Sequence, residues 1–95
     1  MERQISTEVG RIDILAEDTE GVRVVIEVKV GEAKDSAVGQ IARYIGWFTK
    51  TERKPSRGIL IAGSFPEGVR YSAAAIPGLT LLAYRVQFSF EKIAG

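Results

Sequence analysis

Hydrophobic and polar residues alternate near the start of the chain, as they do in β-strands that bury one face. Residues 3–8 and 10–16 each predict a short strand on this pattern. Within the second strand, Ile12 and Ile14 are expected on one face and Asp13 on the other, because successive side chains of a strand point in opposite directions. The first elements are therefore expected to be two neighbouring strands.

A third strand is predicted over residues 22–30, where β-branched residues are dense enough for the centre of a sheet. The preceding residues 17–21 are polar and end in glycine, which is typical of a turn, so the second and third strands form a predicted hairpin. If the hairpin turns about Glu20, residues whose numbers sum to 40 lie opposite each other. Asp13 then faces Glu27 across the pair.

One long helix is predicted after Gly31, where the spacing of hydrophobic residues changes from two to three or four. The apolar positions with this helical spacing are Ala33, Ala37, Ile41, Ile45 and Phe48. The helix is expected to run to about Thr51, with Asp35 or Ser36 able to cap its start.

The second half of the chain predicts three further elements. Residues 58–63 predict a short apolar strand between covered faces, and residues 66–75 predict a short helix. From Leu79 to Phe90 the alternation predicts a last strand with one buried face. The predicted order is βββαβαβ, an α/β fold with a mixed central sheet flanked by helices. Since no tract resembles a linker, residues 1–95 are expected to form one domain.

Composition narrows the possible chemistry. The chain has no cysteine and no histidine, which excludes thiolate and imidazole metal sites and Ser-His-Asp catalysis, so any metal must bind oxygen. Residues 1–49 hold nine acidic and six basic residues, whereas residues 50–95 hold three acidic and seven basic ones. An acidic metal centre beside a basic phosphate-binding surface would give this asymmetry, as would ordinary uneven surface charge. No membrane span or signal peptide is predicted, so a cytoplasmic protein is expected.

Three charged residues are expected to converge on the predicted hairpin. Glu27 and Lys29 share one face of the third strand, about 6.6 Å apart, with Asp13 opposite. Two carboxylates this close repel by up to about 4 kcal/mol at an effective dielectric constant of 20, and a divalent cation such as Mg²⁺ or Mn²⁺ would reverse that cost. Such a site suits phosphodiester hydrolysis. The alternative is a cross-strand salt bridge between Lys29 and either acid.

A second group of candidate residues lies on the predicted long helix. Gln40 and Tyr44 are four residues apart and therefore share a face, with Trp47 a turn further along. The amide of Gln40 is suited to orient a water or a phosphate, and Tyr44 with Trp47 to contact a sugar or an unpaired base. The alternative is that these aromatic residues pack against the sheet, which for Trp47 is the preferred interpretation.

Together these residues resemble a known family pattern. The matching segments are Gly10 to Leu15, Val25 to Lys29, Ala37 to Trp47 and Arg57 to Ala62. They resemble the RecB-like branch of the PD-(D/E)XK nucleases, most of all the catalytic domain of EndoMS/NucS-type mismatch and branched-DNA endonucleases. The resemblance implies a restriction-endonuclease-like core without the usual N-terminal helix. It also implies a metal held by Asp13, Glu27 and the backbone carbonyl of Val28, with Lys29 as catalytic lysine and Gln40 and Tyr44 as helix motif.

The resemblance implies a Mg²⁺-dependent DNA endonuclease core acting in DNA repair, with a separate DNA-binding domain or subunit. A homodimer is expected because a helix is missing and the last strand leaves an apolar face. The candidate DNA-contacting residues are Arg11, Lys34, Arg43, Trp47, Lys50, Arg53, Lys54, Arg57 and Arg70. Two alternatives remain open: a nuclease-like module that binds DNA or protein without cutting, and a small structural α/β protein.

Overall fold

The computed structural model describes residues 1–95 and contains five strands and two helices. Their bounds are β1 Glu2–Thr7, β2 Gly10–Glu17, β3 Arg23–Val28, α1 Asp35–Glu52, β4 Arg57–Ala62, α2 Glu67–Ala74 and β5 Leu79–Ala83. The strands lie in the order β1-β2-β3-β4-β5 in one sheet. β2 is antiparallel to its neighbours β1 and β3, and β3, β4 and β5 are parallel. The predicted order βββαβαβ and the mixed sheet are confirmed.

The hairpin between β2 and β3 has the predicted register. Ile14 pairs with Ile26 and Leu15 with Val25, so the numbers of paired residues sum to 40. The next position along the hairpin would join Asp13 and Glu27, but the regular pairing ends at Ile14. The two acidic residues therefore lie where the strands stop pairing through their backbones.

Both helices pack on one face of the sheet. The buried core joins Ile41 of α1, Val69 of α2 and Leu60 of β4 in one cluster, and the two helices contact each other. At Gly58 of β4, a Cβ atom would lie 2.8 Å from the Cδ1 atom of Ile45, so glycine permits the close approach of α1. The expectation that helices cover both faces of β4 is therefore wrong.

Strand side chains that point away from the core cluster form the other face of the sheet. We call it the open sheet face. Ile26 of β3 pairs with Ile59 of β4 on this face, and both are only half-buried. Its half-buried or exposed apolar residues include Ile14, Ile26, Ile59, Ile61 and Leu82, and Val24 on the same face is buried. No helix of the chain packs there, so this apolar surface remains without a covering layer.

The alternation of side chains is broken in β2. Ile12 and Leu15 are both buried in the core cluster although they are three residues apart, whereas Ile14 is only half-buried. On β1 the pairing with β2 skips Gln4, whose φ of 53° is left-handed. The prediction that Ile12 and Ile14 share a face is therefore wrong, and the irregularity lies at Asp13.

The long helix α1 buries the predicted apolar residues. Its buried residues are Ala37, Val38, Ile41, Tyr44, Ile45 and Phe48, and Ala33 is buried just before it. The N-cap residue is Lys34, without a side-chain cap hydrogen bond, so the prediction that Asp35 or Ser36 caps the helix is wrong. Packing against the sheet therefore stabilises this helix more than capping does.

The last strand is shorter than predicted. β5 ends at Ala83, and residues 84–95 form no helix or strand, so a strand to Phe90 is wrong. The physical reason is that β4 ends at Ala62: the Tyr84 N–H donates to the Ala62 carbonyl at 3.0 Å, and no partner strand continues beyond it. We call residues 84–95 the C-terminal arm. No helix of the chain is long and apolar enough to span a bilayer.

Replacing two glycines by alanine tests the packing of α1 on β4, because the two substitutions should change the free energy of unfolding in opposite directions. Gly58→Ala should lower the free energy of unfolding by about 1–3 kcal/mol, because its methyl group collides with Ile41 and Ile45. Gly46→Ala is the matched control: this position in α1 has no neighbouring atom within 4 Å, so alanine should stabilise by about 0.5–1 kcal/mol. Urea unfolding measures both, and equal effects would contradict the packing of α1 on β4.

Candidate active site

Asp13 and Glu27 bind each other's strands through their carboxylates. The Asp13 N–H donates to Oε1 of Glu27 at 3.2 Å, and the Val28 N–H donates to Oδ2 of Asp13 at 3.0 Å. These side chains take the place of the ladder hydrogen bonds that end at Ile14 and Ile26. Each carboxylate therefore lies against the strand of the other residue, as the predicted hairpin register requires.

Glu27 is the acidic residue whose side chain is buried most deeply in the chain. Its side chain faces the helices and is 1% exposed, paired in the sheet with Leu60. Burial raises the pKa of Glu27 to about 7, and the neighbouring Asp13 carboxylate adds to the rise. Lys29 lowers the same pKa, but by less than burial raises it. The protein therefore holds a carboxyl group whose charge is costly unless a further cation compensates it.

Lys29 lies beside the two acids and is held by the long helix. Its Nζ donates to Oε1 of Gln40 at 3.0 Å, and Nε2 of Gln40 donates to the hydroxyl of Tyr44 at 3.1 Å. The Tyr44 hydroxyl in turn donates to the carbonyl of Arg11 at 2.8 Å. This chain of hydrogen bonds connects β3, α1 and β2, so it fixes the position of the Lys29 ammonium group.

Tyr44 is buried and its ring reaches the start of β2. It is 2% exposed, which favours the alternative that Tyr44 packs inside the protein over contact with a sugar or an unpaired base. At Gly10 a Cβ atom would lie 2.7 Å from the Tyr44 hydroxyl, and the φ of 133° there favours glycine. Sequence reasoning missed Gly10, and its proximity to Tyr44 is not visible from spacing along the chain.

The loop after Lys29 is also fixed by hydrogen bonds. The Lys29 N–H donates to the Ile61 carbonyl at 2.8 Å, and the Gly31 N–H donates to the Tyr84 hydroxyl at 3.0 Å. The Gly63 N–H donates to the Gly31 carbonyl at 2.7 Å. Tyr84 is a second contributor that the sequence did not reveal, because 53 residues separate it from Gly31.

Only two carboxylates meet at this site. No group of three or more acidic residues in the chain is arranged to hold a metal ion. Mg²⁺ commonly uses one or two carboxylates and retains several waters, so the pair of Asp13 and Glu27 is compatible with that ion. The buried Glu27 carboxylate and the adjacent Asp13 are the groups whose repulsion a divalent cation would relieve.

Three of the predicted basic residues lie next to this site. Arg11, Lys34 and Arg43 line the same cavity as Lys29 and Gln40. The side chains of Lys34 and Arg43 are exposed and make no ion pair. These residues are therefore placed to meet an anion that approaches Lys29.

The remaining candidate cations lie elsewhere. Arg53 follows the C-terminal end of α1, about 20 Å along the helix axis from Gln40. Lys54 donates to the Gly21 carbonyl in the β2–β3 turn, and Lys50 lines a second, smaller cavity. In the same way, Arg57 pairs with Asp18 and the Nε of Arg70 donates to the Phe65 carbonyl. The structure therefore does not place any of these five basic residues beside Lys29.

Trp47 belongs to the packing of α1. Its ring is half-buried and meets the ring of Phe48 edge to face, with centroids 4.9 Å apart. It lies against the buried core cluster and does not line the cavity beside Lys29. The interpretation that Trp47 packs is confirmed.

Comparison with curated proteins finds endonucleases. The chain is 40% identical over 65 residues to endonuclease NucS of Sulfolobus acidocaldarius, and 39% identical over 61 residues to endonuclease NucS of Pyrococcus furiosus. These alignments cover 68% and 64% of this chain but only 26% and 23% of the relatives. The chain therefore spans about a quarter of the length of the curated relatives it matches.

Comparison with solved structures finds a repair endonuclease and EndoMS. A repair endonuclease from Pyrococcus abyssi superimposes with a TM-score of 0.81 at 30% identity, over 88% of this chain and 37% of that one. A complex of EndoMS with dsDNA superimposes with a TM-score of 0.79 at 25% identity, over 92% and 37%. The family model described as the endonuclease NucS C-terminal domain matches residues 1–75. This chain is therefore a member of the endonuclease NucS C-terminal domain family.

Proposed function

We propose that this chain is the catalytic core of a metal-dependent DNA endonuclease of the PD-(D/E)XK type. The observation that carries the proposal is the meeting of Asp13, Glu27 and Lys29 at the place where β2 and β3 stop pairing. Relatives named as endonucleases support the reaction class, and a relative solved with double-stranded DNA supports DNA as substrate. The proposed reaction is hydrolysis of a phosphodiester bond.

The proposed metal is Mg²⁺ or Mn²⁺. Asp13 and Glu27 would hold it with carboxylate oxygens, and the backbone carbonyl of Val28 would add a third protein oxygen. When bound, such a cation lowers the pKa of a water and neutralises charge on the phosphodiester. Burial of Glu27 supports this assignment, because a carboxylate with a pKa raised to about 7 gains most from a compensating cation.

The remaining roles fall to groups on β3 and α1. The Lys29 ammonium is proposed to orient the attacking water or to neutralise a phosphate oxygen as negative charge develops there. Gln40 is proposed to hold Lys29 in place, since its amide oxygen accepts from Nζ. Tyr44 positions Gln40 and is itself anchored to the Arg11 carbonyl. Arg11, with Lys34 and Arg43, is proposed to contact DNA phosphates.

A second candidate function is a nuclease-like module that binds DNA or protein without cutting. The observation that favours it is the absence of a third acidic residue beside Asp13 and Glu27.

Because the chain spans about a quarter of the length of its curated relatives, a separate DNA-binding domain or subunit is proposed to take part in substrate choice. A cleavage assay separates the cutting module from the silent one.

We also propose that two copies associate. Val86, Phe88, Phe90 and Ile93 of the C-terminal arm are 64–93% exposed, and the rings of Phe88 and Phe90 stack on each other. Two arms together offer on the order of 1,000 Å² of apolar surface, close to a small specific interface. The open sheet face on a second copy is the apolar surface proposed to receive each arm.

Cleavage tests the central proposal. Wild-type protein with Mg²⁺ or Mn²⁺ should cut at least one of labelled single-stranded, duplex, mismatched or forked DNA, and Lys29→Met should lower the rate by about 100-fold or more. Arg3→Met is the matched control, since Arg3 is exposed and makes no ion pair, and it should cut at the wild-type rate. Cleavage that survives Lys29→Met unchanged would contradict the role of this lysine.

The raised pKa of Glu27 predicts a pH dependence of stability without metal. The folded protein keeps the Glu27 proton up to about pH 7, whereas the unfolded chain releases it near 4.5, so deprotonation favours unfolding. This contribution is full below pH 4.5, and about 3 kcal/mol is lost as pH rises through 7. Glu27→Gln should remove that loss.

Urea unfolding in EDTA at pH 5 and pH 8 measures the difference. The matched control is Glu20→Gln, because Glu20 is exposed in the β2–β3 turn and should leave the loss of stability as in the wild type. Equal pH dependence in wild type and Glu27→Gln would contradict a raised pKa for Glu27. Adding Mg²⁺ at pH 8 should restore stability to the wild type and not to Glu27→Gln.

Light scattering at micromolar concentration tests association. The wild type should have twice the mass of one chain, and Phe88→Ser with Phe90→Ser should have the mass of one chain, because the apolar surface of the arm is removed. Gln87→Ser on the same segment is the control and should leave the dimer intact. A wild-type monomer would remove the proposed association.

A further inference from the structure

A cavity of about 800 Å³ opens beside Lys29. One wall is the beginning of β2 with the residue before it, another is the loop that follows β3, and the third is the first half of α1. Lys29, Gln40 and Tyr44 form part of its lining, whereas Asp13 and Glu27 do not. The cavity therefore adjoins the candidate catalytic site and extends away from the two carboxylates.

The charge of this cavity is strongly positive. Four cationic residues line it, Arg11, Lys29, Lys34 and Arg43, against one acid, Glu32. The two ion pairs of the chain, Arg23 with Glu52 and Arg57 with Asp18, lie outside it. No carboxylate neutralises Lys34 or Arg43, so both remain available to an anionic ligand.

The size of the cavity restricts the ligand. A volume of about 800 Å³ lies within the range of small-molecule sites, so it suits one or two nucleotides of one strand. Val9 and Val30 add apolar surface to the lining, and Val30 is 94% exposed. Cations for phosphate and apolar groups for sugar or base therefore occur on the same surface.

We propose that this cavity binds the nucleotide next to the cleaved phosphodiester, with its phosphate held by Lys34 and Arg43. The inference rests on the proposed nuclease function and adds the position of the flanking strand. Because Lys29 and Gln40 belong to both the cavity and the catalytic site, a nucleotide held there lies next to the proposed site of cleavage. Arg11, whose guanidinium donates to Gln4 Oε1, contributes additional positive charge.

Binding of the 5′-phosphorylated dinucleotide pTpT tests the cavity in EDTA, where metal plays no part. Calorimetry should show one site on the wild type, and Lys34→Ala and Arg43→Ala should each weaken binding about tenfold, because each removes a charge-assisted hydrogen bond. Lys92→Ala and Arg3→Ala are the matched controls, a lysine and an arginine outside the cavity, and should bind as the wild type does.

The same variants in a cleavage assay separate this inference from the nuclease proposal. Asp13→Asn should abolish cleavage and leave pTpT binding in EDTA unchanged, and Lys34→Ala and Arg43→Ala should raise KM with less effect on kcat. Failure of pTpT to bind, or equal binding by wild type, Lys34→Ala and Arg43→Ala, would overturn the inference even if the protein cuts DNA. Binding as expected without any cleavage would instead overturn the nuclease function.

Discussion

The structure depends on how the Glu27 carboxyl group is accommodated inside the sheet. It lies on the helix-facing side of β3, where its partner on β4 is the apolar Leu60, and it accepts a hydrogen bond from the Asp13 backbone. A buried acid of this kind is costly when charged, and a second carboxylate beside it increases the cost. The backbone pairing of β2 and β3 ends at the same place. The sheet therefore lacks regular backbone hydrogen bonds at the position where the two acidic residues lie. Locally unfavourable arrangements of this kind cluster at functional sites, where they contribute to binding rather than to stability.

The second constraint is the uneven covering of the sheet. Both helices pack on the face that carries Glu27, and α1 brings Gln40 and Tyr44 to Lys29. That leaves the open sheet face without a layer and the C-terminal arm with exposed aromatic residues. One side of the sheet thus holds the proposed chemistry, and the other holds the surfaces proposed for association.

Much of the fold could be predicted because it follows from local patterns. The strand and helix order, the apolar stripe of α1 and the register that joins Asp13 to Glu27 are set by alternation, helical spacing and a short turn. The length of β5 could not be predicted, because it depends on where β4 ends. The break at Asp13 was also hidden, since strict alternation assumes that β2 is regular.

The candidate site was predictable where its residues share an element or a hairpin, and unpredictable where distant elements meet. Gly10 reaches Tyr44 and Tyr84 reaches Gly31 only because the sheet and α1 are assembled. Likewise, of the predicted basic residues, only Arg11, Lys34 and Arg43 fall beside Lys29, because tertiary packing decides which part of α1 lies against the site.

The most direct measurement of the central claim is calorimetric titration of Mn²⁺ into the wild type, Asp13→Asn and Glu27→Gln. Both substitutions preserve size and hydrogen-bonding shape while removing a carboxylate charge. We expect one saturable site in the wild type, lost in both variants and retained in Glu32→Gln, whose acid lines the neighbouring cavity. An absence of binding in the wild type, or binding that Asp13→Asn and Glu27→Gln leave unchanged, would contradict a metal site at Asp13 and Glu27.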